Sequence, residues 1–190
     1  MSDLLPFAWL GFHHIADPAA LDHVLFLLAL AAIYRGRDWR SAAWVVTAFT
    51  VGHSVTLALA VTGALHMPTP VIEFLIPVTI VATGLENLLI RDRASAPWGG
   101  RYRPVFAGVF GLVHGAGFAN YLRDFFTGSI AVPLLGFNLG IELGQLLILA
   151  ASALALAAVD LVLGHRVRVV AVSATVVIVA ATMAVERTPW

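Results

Sequence analysis

Pro18-Ala-Ala-Leu-Asp22-His23-Val-Leu-Phe-Leu-Leu-Ala-Leu-Ala-Ala-Ile-Tyr34 is an apolar run with a carboxylate and an imidazole set near its start, and it stops at Arg35-Gly-Arg-Asp-Trp-Arg40. Its length approaches the roughly 20 residues that a helix needs to cross a hydrocarbon core at about 1.5 Å per residue. Asp17-Pro18 before it predicts a helix start, with Asp as the cap and Pro in the first helical position. Five further runs follow, at about 41–65, 71–90 (with a kink expected at Pro77), 104–121, 130–163 and 169–185. Residues 4–14 are apolar but short, and Pro6 and Gly11 interrupt them, so they predict an interfacial or re-entrant segment. The expected fold is therefore all-α: a polytopic membrane protein of six transmembrane helices preceded by that segment, in one helical-bundle domain over residues 1–190.

Composition agrees. The 190 residues are 60% hydrophobic and 12% charged, against about 25% charged in a soluble domain. Mean hydropathy is +0.91. Six spans leave no room for a separate soluble domain. Net charge is zero, which removes the basic footprint of a nucleic-acid binder. The chain has no cysteine, so disulfides and thiolate metal sites are excluded. Met-Ser-Asp-Leu-Leu-Pro has no basic n-region and does not read as a cleaved signal peptide.

Arginines orient the spans. Nine of the eleven basic residues (Arg35, Arg37, Arg40, Arg91, Arg93, Arg101, Arg103, Arg166 and Arg168) fall in the loops after the first, third and fifth runs. In a six-span chain these loops share one side, which the positive-inside rule makes cytoplasmic. The expected location is the bacterial inner membrane, with both termini outside.

That orientation sets depth. His14, Asp22 and His23 fall at the outer end of the first run, Glu73 at the outer end of the third, and His114 and Asn138 in the outer halves of the fourth and fifth. His53 and Glu142 fall near mid-span. An ionisable side chain in hydrocarbon costs a few kcal/mol or more and marks function by default. Taken singly, these residues have plainer roles. His53 suits a helix-to-helix hydrogen bond and Asp22 a first-turn carboxylate. His13 and His66 suit the wet interface, Glu86 and Asn87 a pairing with Arg91 or Arg93, and Asp160 a pairing with Arg166. Imidazoles and carboxylates converging at one depth from separate helices instead suggest a bound divalent ion, nickel, cobalt or zinc, held by His14, Asp22, His23, His53, His114 and Glu142. Supporting polar groups are Glu73, Asn138, Gln145, Thr50 and Ser54. Asn138, Glu142 and Gln145 share one helix face, as do Thr50, His53 and Ser54. Gly136, Gly140 and Gly144, and Gly108, Gly111 and Gly115 around His114, predict close helix approach.

Five stretches carry a resemblance: Asp22-His23-Val-Leu-Phe-Leu, Phe49-Thr-Val-Gly-His53-Ser-Val, Glu73-Phe-Leu-Ile-Pro77, Phe110-Gly-Leu-Val-His114-Gly-Ala-Gly-Phe118 and Phe137-Asn-Leu-Gly-Ile-Glu142-Leu-Gly-Gln145. They resemble the HupE/UreJ family of small bacterial membrane proteins over the first five runs. The resemblance implies metal handling, associated with nickel or cobalt uptake for hydrogenase and urease maturation. The family pattern has a His followed after five residues by Asp-His. Here seven residues separate His14 from Asp22-His23, which leaves the equivalence of His14 open.

Three functions compete. The leading one is a divalent-metal permease with its site in the outer half of the bilayer. Against it, the inner halves of the runs offer few polar side chains. The second is an intramembrane zinc-type hydrolase, with Glu142 or Glu73 as the base for a metal-activated water. The third is an accessory or sensor protein. Expected partners are the lipid bilayer and the metal ion, with a homo-oligomer left open.

Overall fold

The structure, a computed structural model, describes residues 4–17, 20–90, 95–123 and 130–189, without the side chains of 119–121 and 123. These residues form seven α-helices: α1 Leu4–Ala16, α2 Leu21–Ala32, α3 Trp39–Val61, α4 Thr69–Ile90, α5 Arg103–Arg123, α6 Ala131–Leu163 and α7 His165–Glu186. Four of them, α3, α4, α6 and α7, are long and apolar enough to cross a membrane, and a fifth span results if α1 and α2 count as one broken span.

The first span differs from expectation. α2 has 12 residues, about 18 Å at 1.5 Å per residue, too short to cross alone. α1 is a full helix of 13 residues that meets α2 at 73°. The two local breaker signals do not break it. Pro6 sits in the first turn, where a missing N–H leaves no bond unmade, and Gly11 is a packing residue. Nor does Asp17 cap α2: Ala20 precedes its first turn without a side-chain cap. Pro18, Arg91, Arg93 and the 124–129 connection lie outside the described residues.

Lipid tails are as apolar as leucine, so helices associate in a bilayer through close packing of small residues. Two helix pairs depend on this. Gly136, Gly140 and Gly144 of α6 abut Leu4, Ala8 and Phe12 of α1 in turn. The order of these contacts makes the two helices parallel and carries Phe12, near the end of α1, about 20 Å down α6. In the same way Gly108, Gly111 and Gly115 of α5 abut Ala48, Phe49 and His53 of α3, and this pair is also parallel. α4 packs on α7, where Gly84 meets Val177 and Ser173. The short α2 contacts α1, α3, α4, α6 and α7, and its Phe26, Leu27, Ala29 and Leu30 are buried. Leu89, Leu154, Leu161 and Val162 point outward, each more than three-quarters exposed, which suits a lipid-facing surface.

The basic loops gather at one end. Arg35 and Arg168 line one cleft with Tyr34, and Tyr34 lines another with Arg101. Asp160 pairs with Arg168 at 2.7 Å, in place of the expected Arg166. Glu86 pairs with Arg103 at 2.6 Å and also accepts from the Tyr102 hydroxyl. Partial burial, followed by this carboxylate, raises the Tyr102 pKa.

Candidate metal site

Where α1 breaks from α2, a cavity of about 400 Å³ opens at the end of the bundle away from the basic loops. His14 of α1, Asp22 and His23 of α2, Glu73 of α4 and His114 of α5 line it, with Arg187 beyond α7. Five of the residues singled out in the sequence therefore meet at one cavity. The ring centroids of His14 and His23 lie 4.7 Å apart, and those of His23 and His114 5.8 Å apart. His53, fully buried on α3, has its ring 6.5 Å from that of His14.

The imidazole nitrogens are short of partners. His14 Nε2, both nitrogens of His53 and His114 Nδ1 are buried without a hydrogen bond, and His23 Nδ1 has only Asp22 Oδ1, 3.3 Å away. Buried polar atoms are paired in the large majority of cases, so each exception asks for a cause. His114 Nε2 does have a partner, Thr79 Oγ1 at 2.9 Å. Apolar rings enclose the group: Phe118 stands 3.9 Å from His14, and Phe49 and Phe26 stand 5.0 and 5.2 Å from His114.

Asp22 receives the backbone N–H of His23 at 3.1 Å and an ion pair from Arg187 at 3.3 Å. It sits in the first turn of α2, where the helix dipole favours a carboxylate. The C-terminal end of α1, the negative pole of its dipole, carries His14 to the same place and favours a cation there. Pro77 has no N–H, so the Glu73 carbonyl loses its usual helical donor at the rim.

Some expected members stand elsewhere. Glu142 does not line the cavity; its carboxylate accepts from Thr47 at 2.6 Å. One turn on, Gln145 accepts from Thr50 at 2.7 Å, which ties α3 to α6. Ser54 donates to the Thr50 carbonyl, and Asn138 Oδ1 is buried without a hydrogen bond. Among the described residues no three His, Asp or Glu side chains form a ready-made metal site. The rings are gathered, and closing them around an ion requires side-chain rotation. Arg187 and Thr79 were not foreseen. Arg187 had a signal, since it is one of two arginines outside the three basic loops.

Beneath the histidines the rings of Phe26 and Phe49 lie 4.7 Å apart, tilted at 38°. Deeper, Arg103 bonds Asn87 at 2.6 Å, and Asn87 bonds the Ala29 carbonyl at 2.7 Å. Arg168 bonds the Ala32 carbonyl at 2.9 Å, capping α2. The arrangement is an imidazole and carboxylate cavity at one end of the bundle, with aromatic rings and buried arginines beneath it.

No curated protein and no solved structure matches the chain. The family model described as HupE / UreJ protein matches residues 1–187, and the chain belongs to that family.

Proposed function

We propose that the protein is a permease for a divalent cation of the nickel and cobalt class, one transmembrane domain over residues 1–190 with both termini outside the bacterial inner membrane. The observation that carries this is a cavity lined by His14, His23 and His114 from three helices, with the His53 ring of a fourth 6.5 Å from that of His14, and with four buried nitrogens of His14, His53 and His114 that have no hydrogen bond. Imidazole with carboxylate suits a borderline divalent metal. In this reading the cation is the substrate. Asp22 and His23 receive it at the mouth, His14 and His114 take it further, and His53 holds it deepest. The six spans are α1 with α2, then α3 to α7. A helix broken at the ion site is a recurrent device of transporters, because its exposed termini supply ion-binding dipoles. Passage inward requires the Phe26–Phe49 pair to part and the arginine-held end of α2 to shift.

The test is nickel uptake into proteoliposomes together with the metal content of the purified protein, for the native chain and for His53→Ala and His114→Ala. Bound nickel with uptake, both lost in the variants, is the expected result. Uptake that survives both substitutions overturns the reading. The aromatic rings and buried Arg103 beneath the histidines favour one rival, a hydrolase whose metal-bound water is activated by Glu73, the carboxylate that lines the cavity beside the histidines. Tightly bound metal with no uptake points to that reaction.

A further inference from the structure

Thr79 has one hydroxyl proton and two neighbours. Its Oγ1 lies 2.7 Å from the Ile76 carbonyl oxygen, one turn back on α4, and 2.9 Å from His114 Nε2. The carbonyl only accepts. Two oxygens at 2.7 Å with no proton between them repel, so the hydroxyl proton lies toward Ile76. Oγ1 then faces His114 with a lone pair, and the ring must donate from Nε2. A neutral imidazole carries one ring proton, so Nδ1 is left bare. This is the His114 nitrogen that is buried without a partner, on a residue that lines the cavity.

We propose that Thr79 is a positioning residue that fixes His114 as its Nε2–H tautomer, leaving Nδ1 as the atom that binds the cation. The relay runs from His114 Nε2–H to the Thr79 hydroxyl and on to the Ile76 carbonyl. It supplies what a metal-binding histidine usually takes from a carboxylate or carbonyl: a hydrogen bond that sets the tautomer, holds the ring plane and raises the basicity of the opposite nitrogen. Thr79 also ties α4 to α5 at the depth of the histidines, so a movement of α4 would turn the ring. The inference rests on His114 being a cation ligand, as in the reading above.

The experiment uses the full chain in detergent or nanodiscs at neutral pH, labelled with ¹⁵N-histidine, with the His114 signals assigned by their loss in His114→Gln. The ¹⁵N shifts of the metal-free protein separate the protonated nitrogen from the bare one. The native chain and Thr79→Ser should show Nε2–H with bare Nδ1, whereas Thr79→Val should show a tautomer mixture. Titration with Ni²⁺ should give an affinity about 10–100-fold weaker in Thr79→Val, the usual range for losing such a partner, and near-native in Thr79→Ser. A native His114 protonated on Nδ1, or a tautomer unchanged in Thr79→Val, overturns the proposal. Thr79→Ser that behaves as Thr79→Val also overturns it, because packing and not the hydroxyl would then be at work. A Thr79-dependent tautomer in a protein that binds no Ni²⁺ supports the positioning role and sinks the metal reading separately.

Discussion

Replacing Gly115 by alanine tests whether the histidines are held by glycine packing. A Cβ on Gly115 falls 2.9 Å from the Cα and carbonyl carbon of His53 and closer still to its carbonyl oxygen, all backbone atoms that cannot swing aside. Moving from 2.9 Å to the 3.4 Å at which ordinary contact begins requires α5 to move by at least about 0.5 Å. A shift of that size exceeds the margin between the Thr79–His114 contact, 2.9 Å in the native chain, and the roughly 3.2 Å limit of a good hydrogen bond, so that contact should be disturbed. Overpacking of this kind costs about 1–3 kcal/mol. At roughly 2–4 °C per kcal/mol for a chain of this size, Tm should fall by about 2–12 °C. Gly108→Ala is the control, on the same helix and at the same interface. Its Cβ meets only the Ala48 carbonyl oxygen, at an ordinary 3.4 Å, so Tm should change by less than about 1 °C, as expected without a clash. The assay is thermal unfolding in detergent with Ni²⁺ titration of each variant. If the two alanines behave alike, in stability and in affinity, close packing at Gly115 does not hold the site.

Three further outcomes follow from the geometry. Arg187→Gln removes the guanidinium 3.3 Å from Asp22 and frees the carboxylate for the cation; Ni²⁺ affinity measured by calorimetry should rise severalfold, and a fall would mean that Arg187 holds the cavity in shape. Glu142→Gln keeps an acceptor for Thr47 outside the cavity, so it should leave affinity nearly unchanged, whereas Asp22→Asn should weaken it about tenfold or more; the reverse order would restore Glu142 as a ligand. The chain has no cysteine, so single cysteines can map its sides. Thr188→Cys should react with an impermeant reagent in spheroplasts and Arg37→Cys should not, and labelling at position 37 would invert the topology.

Much of this was legible along the chain. Apolar runs of span length separated by basic loops are a local signal, and the loops do gather at one end. An ionisable residue inside such a run is conspicuous because lipid penalises it, so His14, Asp22, His23 and His114 could be named before their meeting was seen. Glycine stripes marked the interfaces, since only small residues let helices approach closely in lipid.

What could not be read was which face of each helix meets which neighbour. Glu142 shares a depth with the histidines and points to Thr47, because the rotation of α6 is set by its packing on α1 and α3. Residues 4–14 read as broken because Pro6 and Gly11 are breakers in local terms. Position decides otherwise: Pro6 falls where a helix needs no N–H, and Gly11 lies against the Phe137 backbone. Thr79 and Arg187 owe their roles to partners 35 and 165 residues away. The sequence by itself determined the membrane class and the polar residues, because each follows from a residue and its immediate surroundings in lipid. Only the tertiary structure decided the bend between α1 and α2 and the membership of the cavity, because both depend on contacts between helices far apart in the chain.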